Sequence, residues 1–133
     1  MTHIDKLKEL TGELPEVPTL EKMAINDSIG YVEYEVKDGT AMGFNLLNKP
    51  KVSVQDLFLS KGATFPSHLH LVEKECHIIY SGELEVTIED EVRILKKGDS
   101  FCLDNTVVHS GVALKDTWMI VIGVPSIEGY PTN

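Results

Sequence analysis

Gly62-Ala63-Thr64-Phe65-Pro66-Ser67-His68-Leu69-His70-Leu71-Val72-Glu73-Lys74-Glu75-Cys76-His77 places three of the chain's five histidines within ten residues of one another. His68 and His70 are two apart, so an extended backbone points them to the same side. Glu75 and His77 likewise share a side, but with the opposite parity. All four reach one lumen only if Leu71 to Lys74 resets the alternation. Phe65-Pro66 holds the chain extended ahead of His68, because proline fixes its own φ and biases its predecessor to the β region. Imidazole and carboxylate are ligands for first-row transition metals. Neutral histidines with one carboxylate leave a divalent ion with net positive charge and open positions, a catalytic style of site and not a closed structural one. Singly, these residues say less. A His-x-His pair near a turn is common, a glutamate in a strand-rich chain usually sits on a wet face, and His109 alone reads as a core or rim histidine.

Around this stretch the chain reads as short, evenly spaced strands. Val32, Tyr34 and Val36 alternate with Tyr31, Glu33 and Glu35. Asp38-Gly39 turns into a strand over 41–47, and Asn48-Lys49-Pro50 breaks the chain before 52–59. A strand over 75–80 ends at Ser81-Gly82. Leu84, Val86 and Ile88 then alternate with Glu83, Glu85, Thr87 and Glu89, so one face of that strand is wet. Asp90 leads a hairpin into 92–95, and Lys96-Lys97-Gly98-Asp99 turns again. Strands over 100–103, 107–114 and 117–124 follow, the last apolar on both faces and expected to be buried. Turn signals every ~8–12 residues specify an all-β sandwich or barrel. Ahead of them, residues 4–11 can form a short amphipathic helix with Ile4, Leu7 and Leu10 on one face, stopped by Gly12, Pro15 and Pro18. Residues 1–28 therefore read as an N-terminal helix or arm packed on the barrel or on a partner subunit. Residues 29–133 read as one domain.

Composition narrows the function. Of 133 residues, 12 are Lys or Arg and 21 are Asp or Glu, a formal net charge of −9. That field repels phosphate backbones and anionic lipid surfaces, so nucleic-acid and membrane partners are not expected. Apolar residues at 42% and charged residues at 25% are globular values and exclude a disordered or coiled-coil reading. The longest apolar run, 118–124, is far short of the ~18 residues of a spanning helix. The charged first ten residues show no secretion signal. Two cysteines are too few for a disulfide framework, so the expectation is a cytoplasmic protein with reduced thiols. Cys76, Ile78 and Tyr80 take the strand face opposite to Glu75 and His77, so Cys76 reads as a buried structural thiol, and Cys102 reads as a packing residue.

The spacing Gly62, His68, His70, Glu75, Gly82 reads G-x5-H-x-H-x4-E-x6-G. It resembles the first signature of the cupin superfamily at all five fixed positions. Such a match arises by chance about once in 10⁵ chains of this length. The second cupin signature, G-x5-P-x-G-x2-H-x3-N, is matched at Gly98 and His109. Asp104, Thr106 and Ala113 stand where proline, glycine and asparagine are expected. Asn105 is a plausible substitute turn former, since asparagine tolerates the left-handed region. Fifteen residues separate Gly82 from Gly98, a spacing typical of small single-domain cupins.

The resemblance implies a jelly-roll β-barrel holding one divalent transition metal ion per chain: iron, manganese, nickel, copper, cobalt or zinc. Carried over residue by residue, His68, His70 and Glu75 look like the ligands of the first motif and His109 like that of the second. Relatives with such sites include dioxygenases and other oxidoreductases, isomerases, decarboxylases and lyases. The expected ligand is a small, oxygen-rich chelator such as a 1,2-diketone, a diol, a hydroxy-ketone or an α-keto acid. A non-catalytic binding or sensing cupin is the alternative. Small cupins tend to dimerise through sheet faces, so a homodimer is expected. His77 should also face the lumen, as a ligand's hydrogen-bond partner, a catalytic acid or base, a substrate donor, or simply a buried neutral histidine. Met42, Phe44, Phe58 and Phe65 are candidates for an apolar pocket wall. Trp118 and Met119 are candidates for core or interface. The Gly129-Tyr130-Pro131 tail packs or caps without an assigned function.

Overall fold

The computed structural model describes residues 24–27, 30–49, 52–69, 74–104 and 107–124. Their strands are β1 (Ala24–Asp27), β2 (Tyr31–Tyr34), β3 (Ala41–Lys49), β4 (Val52–Leu59), β5 (Thr64–His68), β6 (Lys74–Ser81), β7 (Glu83–Ile88), β8 (Glu91–Lys96), β9 (Ser100–Leu103), β10 (His109–Ala113) and β11 (Thr117–Val124). They form two antiparallel sheets that close over one core. The larger runs β1-β2-β3-β4-β11-β6-β9 and the smaller runs β5-β10-β7-β8. No described helix is long and apolar enough to cross a membrane. The candidate helix over 4–11 and the Gly129–Pro131 tail lie outside the described residues, and so does His70. β1, inside the stretch read as an arm, is already part of the sheet: it pairs with β2.

Alternation sorts each strand into an inner and an outer row. In β11, Thr117, Met119 and Val121 are buried, while Trp118, Ile120 and Ile122 are half-buried. The final strand, expected to be covered on both faces, is thus fully covered on one. Leu59, Ile79 and Met119 are the largest apolar side chains withdrawn completely from solvent, each contributing roughly 1.5–3 kcal/mol by burial. β5 is an edge strand of the smaller sheet, which is where Pro66 is tolerated, because its missing N–H breaks no central ladder.

The register carries one inner row straight across the larger sheet. Asn45 on β3 faces Gln55 on β4, Gln55 faces Val121 on β11, Val121 faces His77 on β6, and His77 faces Phe101 on β9. Signature glycines set the turns. Gly82 and Gly98 have φ of 95° and 94°, values that side-chain-bearing residues rarely adopt. A Cβ on Gly82 would also overlap the Asp116 carbonyl and Thr117. Thr117 is wholly buried. Its hydroxyl accepts from Glu83 N at 3.1 Å and faces the carbonyls of Glu83 at 3.1 Å and Lys115 at 2.8 Å as donor. That side chain ties the start of β11 to the start of β7.

Two expectations do not hold in the folded chain. Of the four residues proposed for the pocket wall, only Phe65 points inward. Met42, Phe44 and Phe58 have the outward parity. Phe44 and Phe58 pack around Trp118 on the outer face, with ring centroids 6.2 and 4.8 Å from it, and Tyr80 flanks the same ring at 6.5 Å. The cysteines are the second correction. Cys76 and Cys102 are direct partners in the β6–β9 ladder and form a disulfide, so neither is a free thiol. The count of two had argued against a framework of several bridges. It carried no information about a single bond between opposite residues on neighbouring strands.

Candidate metal centre

His68 ends β5 and His109 begins β10, and the two are register partners. Their rings lie 4.2 Å apart between centroids, and both residues are buried, at 5% and 6% exposure. Each ring is clasped the same way. Nδ1 of His68 meets the carbonyl of Pro66 at 2.7 Å, and Nδ1 of His109 meets that of Val107 at 3.0 Å. A carbonyl only accepts, so each Nδ1 carries a proton, and in the neutral ring each Nε2 then carries the lone pair. That is the tautomer and the second-sphere contact of metal-binding histidines.

Glu75 and His77 come from the other sheet, on the inner row of β6. Both are buried. His77 Nε2–H donates to Glu75 Oε1 at 3.0 Å. His77 Nδ1 lies 3.5 Å from the Met119 sulfur, and its ring stacks on Phe101, 4.5 Å between centroids and 5° from parallel. One edge of the imidazole therefore meets a carboxylate and the opposite edge a thioether. The opposite parities of the two histidine-bearing segments now have a structural reason. β5 and β6 lie in facing sheets, so each presents its own inward parity to a shared lumen.

That lumen opens to solvent and has a cavity volume of about 50 Å³. Leu57, Leu59, Val86 and Val121 supply apolar wall beside Phe65 and Phe101, and no Lys or Arg lines it among the described residues. His68, Glu75, His77 and His109 all reach it. Two imidazoles held in the lone-pair tautomer, with a buried carboxylate across an apolar lumen, are a donor set that fits a divalent transition ion. Among the described residues no three such side chains yet converge on one point; His70, the fourth expected ligand, is not among them. Asp104 is exposed and Ala113 is buried in the core where the second signature has its proline and asparagine. Neither change displaces His109 from the lumen.

Tyr34 and Gln55 also line the lumen and were missed from the sequence. Gln55 shares the inward parity of Leu57 and Leu59, and a polar residue on that parity was the available signal.

A family profile for the cupin domain matches residues 57–124, half of the chain. The pectin degradation protein KdgF of Dickeya dadantii (strain 3937) is 32% identical over 62 residues, covering 47% of this chain and 56% of that protein. The chain thus spans about half the length of the curated relative it matches. Among solved structures, KdgF from a Halomonas species superposes with a TM-score of 0.63 at 26% identity, over 70% of this chain and 84% of that one. An RmlC-like cupin from Shewanella frigidimarina gives a TM-score of 0.62 at 23% identity, over 69% and 84%. With both sheets, the signature glycines in their turns, His68 of the first motif and His109 of the second in the lumen, and the family profile over half of its length, the chain belongs to the cupin superfamily.

Proposed function

We propose that this cupin is a metal-dependent enzyme acting on a small, oxygen-rich molecule chelated in its lumen. The observation that carries this reading is the matched clasp on His68 and His109, facing Glu75 and His77 across an apolar lumen. His68, His70, Glu75 and His109 would hold one ion of iron, manganese, nickel, copper, cobalt or zinc. When bound, the ion supplies Lewis-acid polarisation of chelated oxygen and, if redox-active, electron transfer. The Pro66 and Val107 carbonyls keep the imidazoles oriented. Phe65, Phe101 and Met119 exclude water, which strengthens electrostatic interactions inside. His77 holds a proton at Nε2, beside the carboxylate and inside the lumen, where it can reach a substrate oxygen or steady Glu75. The similarity to a pectin degradation protein supports a polyoxygenated substrate without naming one, and dioxygenase, isomerase, decarboxylase and lyase chemistries all fit this inventory.

Pure binding is the alternative, favoured by the scarcity of acid–base groups: among the described residues, His77 is the one lumen histidine outside the expected ligand set. The aromatic outer face around Trp118 supports a homodimer, and a monomeric mass at micromolar concentration would overturn that part. For the activity, metal-loaded protein is mixed with a panel of α-keto acids, hydroxy-ketones and diols while oxygen uptake, decarboxylation and isomerised products are followed. Turnover that disappears with chelator supports the enzyme. Saturable binding with no turnover in any arm overturns it in favour of the binder.

A further inference from the structure

We propose that the lumen has a second recognition point, the carboxamide of Gln55, which selects an uncharged oxygen acceptor at the far end of the ligand. The near end is taken to be chelated as above, so this inference rests on that reading. Gln55 is held from both sides. Tyr34 Oη donates to its Oε1 at 3.2 Å, and its Nε2 donates to Asn45 Oδ1 at 3.2 Å. An amide nitrogen carries two protons, and Asn45 takes one. The carboxamide also lies directly over Gly43, where any Cβ would overlap it. The amide is therefore fixed in orientation, with a second N–H remaining on a side chain that lines the lumen.

The register gives the span. Gln55, Val121 and His77 sit on three successive strands, so Gln55 and His77 are two strand spacings apart, roughly 10 Å between backbones. With a polar contact at each end, that gap suits a chain of about four or five carbons. The apolar wall between them suits methylene groups. No Lys or Arg lines the lumen among the described residues, so a second carboxylate or a phosphate at the Gln55 end would lose hydration without a compensating cation. A ketone, an ester carbonyl or a hydroxyl would accept the N–H at no such cost. The ligand class is then a chelating head, a short apolar middle and a neutral acceptor tail.

Three probes sharing one head test this by calorimetric titration of the zinc-loaded full chain: 2-oxoheptanoate, the distal monomethyl ester of 2-oxoglutarate, and 2-oxoglutarate itself. The ester should bind about five- to tenfold tighter than 2-oxoheptanoate, the worth of one neutral hydrogen bond, and 2-oxoglutarate should bind weakest. In Gln55→Met, zinc content and affinity for 2-oxoheptanoate should stay within about twofold while the preference for the ester collapses. Binding of 2-oxoheptanoate with no ester preference in the wild type, an ester preference that survives Gln55→Met, or tightest binding of 2-oxoglutarate would each overturn the Gln55 assignment alone. Failure of all three probes to bind would overturn the chelated head as well.

Discussion

Replacing His77 with phenylalanine isolates the hydrogen bond that steadies Glu75. Phenylalanine keeps a flat ring against Phe101, so the stack at 4.5 Å survives and the Nε2–H donor is lost. The two side chains are 10% and 6% exposed and 3.0 Å apart. Burial this deep leaves little solvent to screen the contact or replace it. A hydrogen bond to a charged group contributes about 1.5–3 kcal/mol, so the metal-free variant should lose about 2 kcal/mol. For a domain of this size that is a fall in Tm of roughly 8 °C. Urea denaturation in chelator, with Glu75→Gln and the double variant, closes a cycle whose coupling should be about 1–2 kcal/mol. Metal affinity supplies an independent readout. A partner that orients a ligating carboxylate is worth about 10–100-fold in affinity, so His77→Phe should weaken metal binding by that factor. Wild-type stability together with wild-type metal affinity in His77→Phe would refute the positioning role.

Two further outcomes follow from contacts outside the lumen. Thr117→Val keeps the shape of a wholly buried side chain but strands the Glu83 N–H, and should cost about 1–3 kcal/mol in chemical denaturation; a neutral result would show that the clamp between β7 and β11 is dispensable. Tyr80 donates to Asp56 Oδ1 at 2.7 Å on the outer face; desolvation first, then the hydrogen bond and charge of Asp56, push its phenol up to about 12. Folding thus favours the protonated phenol, so this support is complete below pH ~10 and fades as pH rises through about 12. Phenolate absorbance should show one of the four tyrosines ionising late in the folded protein, and Asp56→Asn should bring it back toward its ordinary value.

The fold was legible because its punctuation is physical. Gly82 and Gly98 stand where the backbone needs positive φ, and the Leu84-Val86-Ile88 alternation gives away a strand with one buried face. His68 and His109 were legible through spacing, and both reach the lumen. Side-chain direction was harder. Phe44 and Phe58 look like pocket residues because they are aromatic, yet parity sends them outward onto Trp118. Gln55 was passed over because a glutamine in a strand is ordinary until the register shows Asn45 beside it and the lumen above it. The Cys76–Cys102 bond depends on the pairing of β6 with β9, a long-range register that composition does not encode. His77 falls between these cases: its inward direction follows from Glu75 two residues earlier, whereas its contacts with Glu75, Met119 and Phe101 needed three strands in place.

The central claim is that the lumen histidines hold a metal ion. Elemental analysis of protein purified without chelator or histidine tag, beside a His68→Ala/His70→Ala double variant, tests it most directly. The account predicts near-stoichiometric transition metal in the wild type and its loss in the variant, with the fold retained by circular dichroism. Wild-type protein that neither carries metal nor takes it up from any of the six ions, or a variant that retains the full complement, would contradict it.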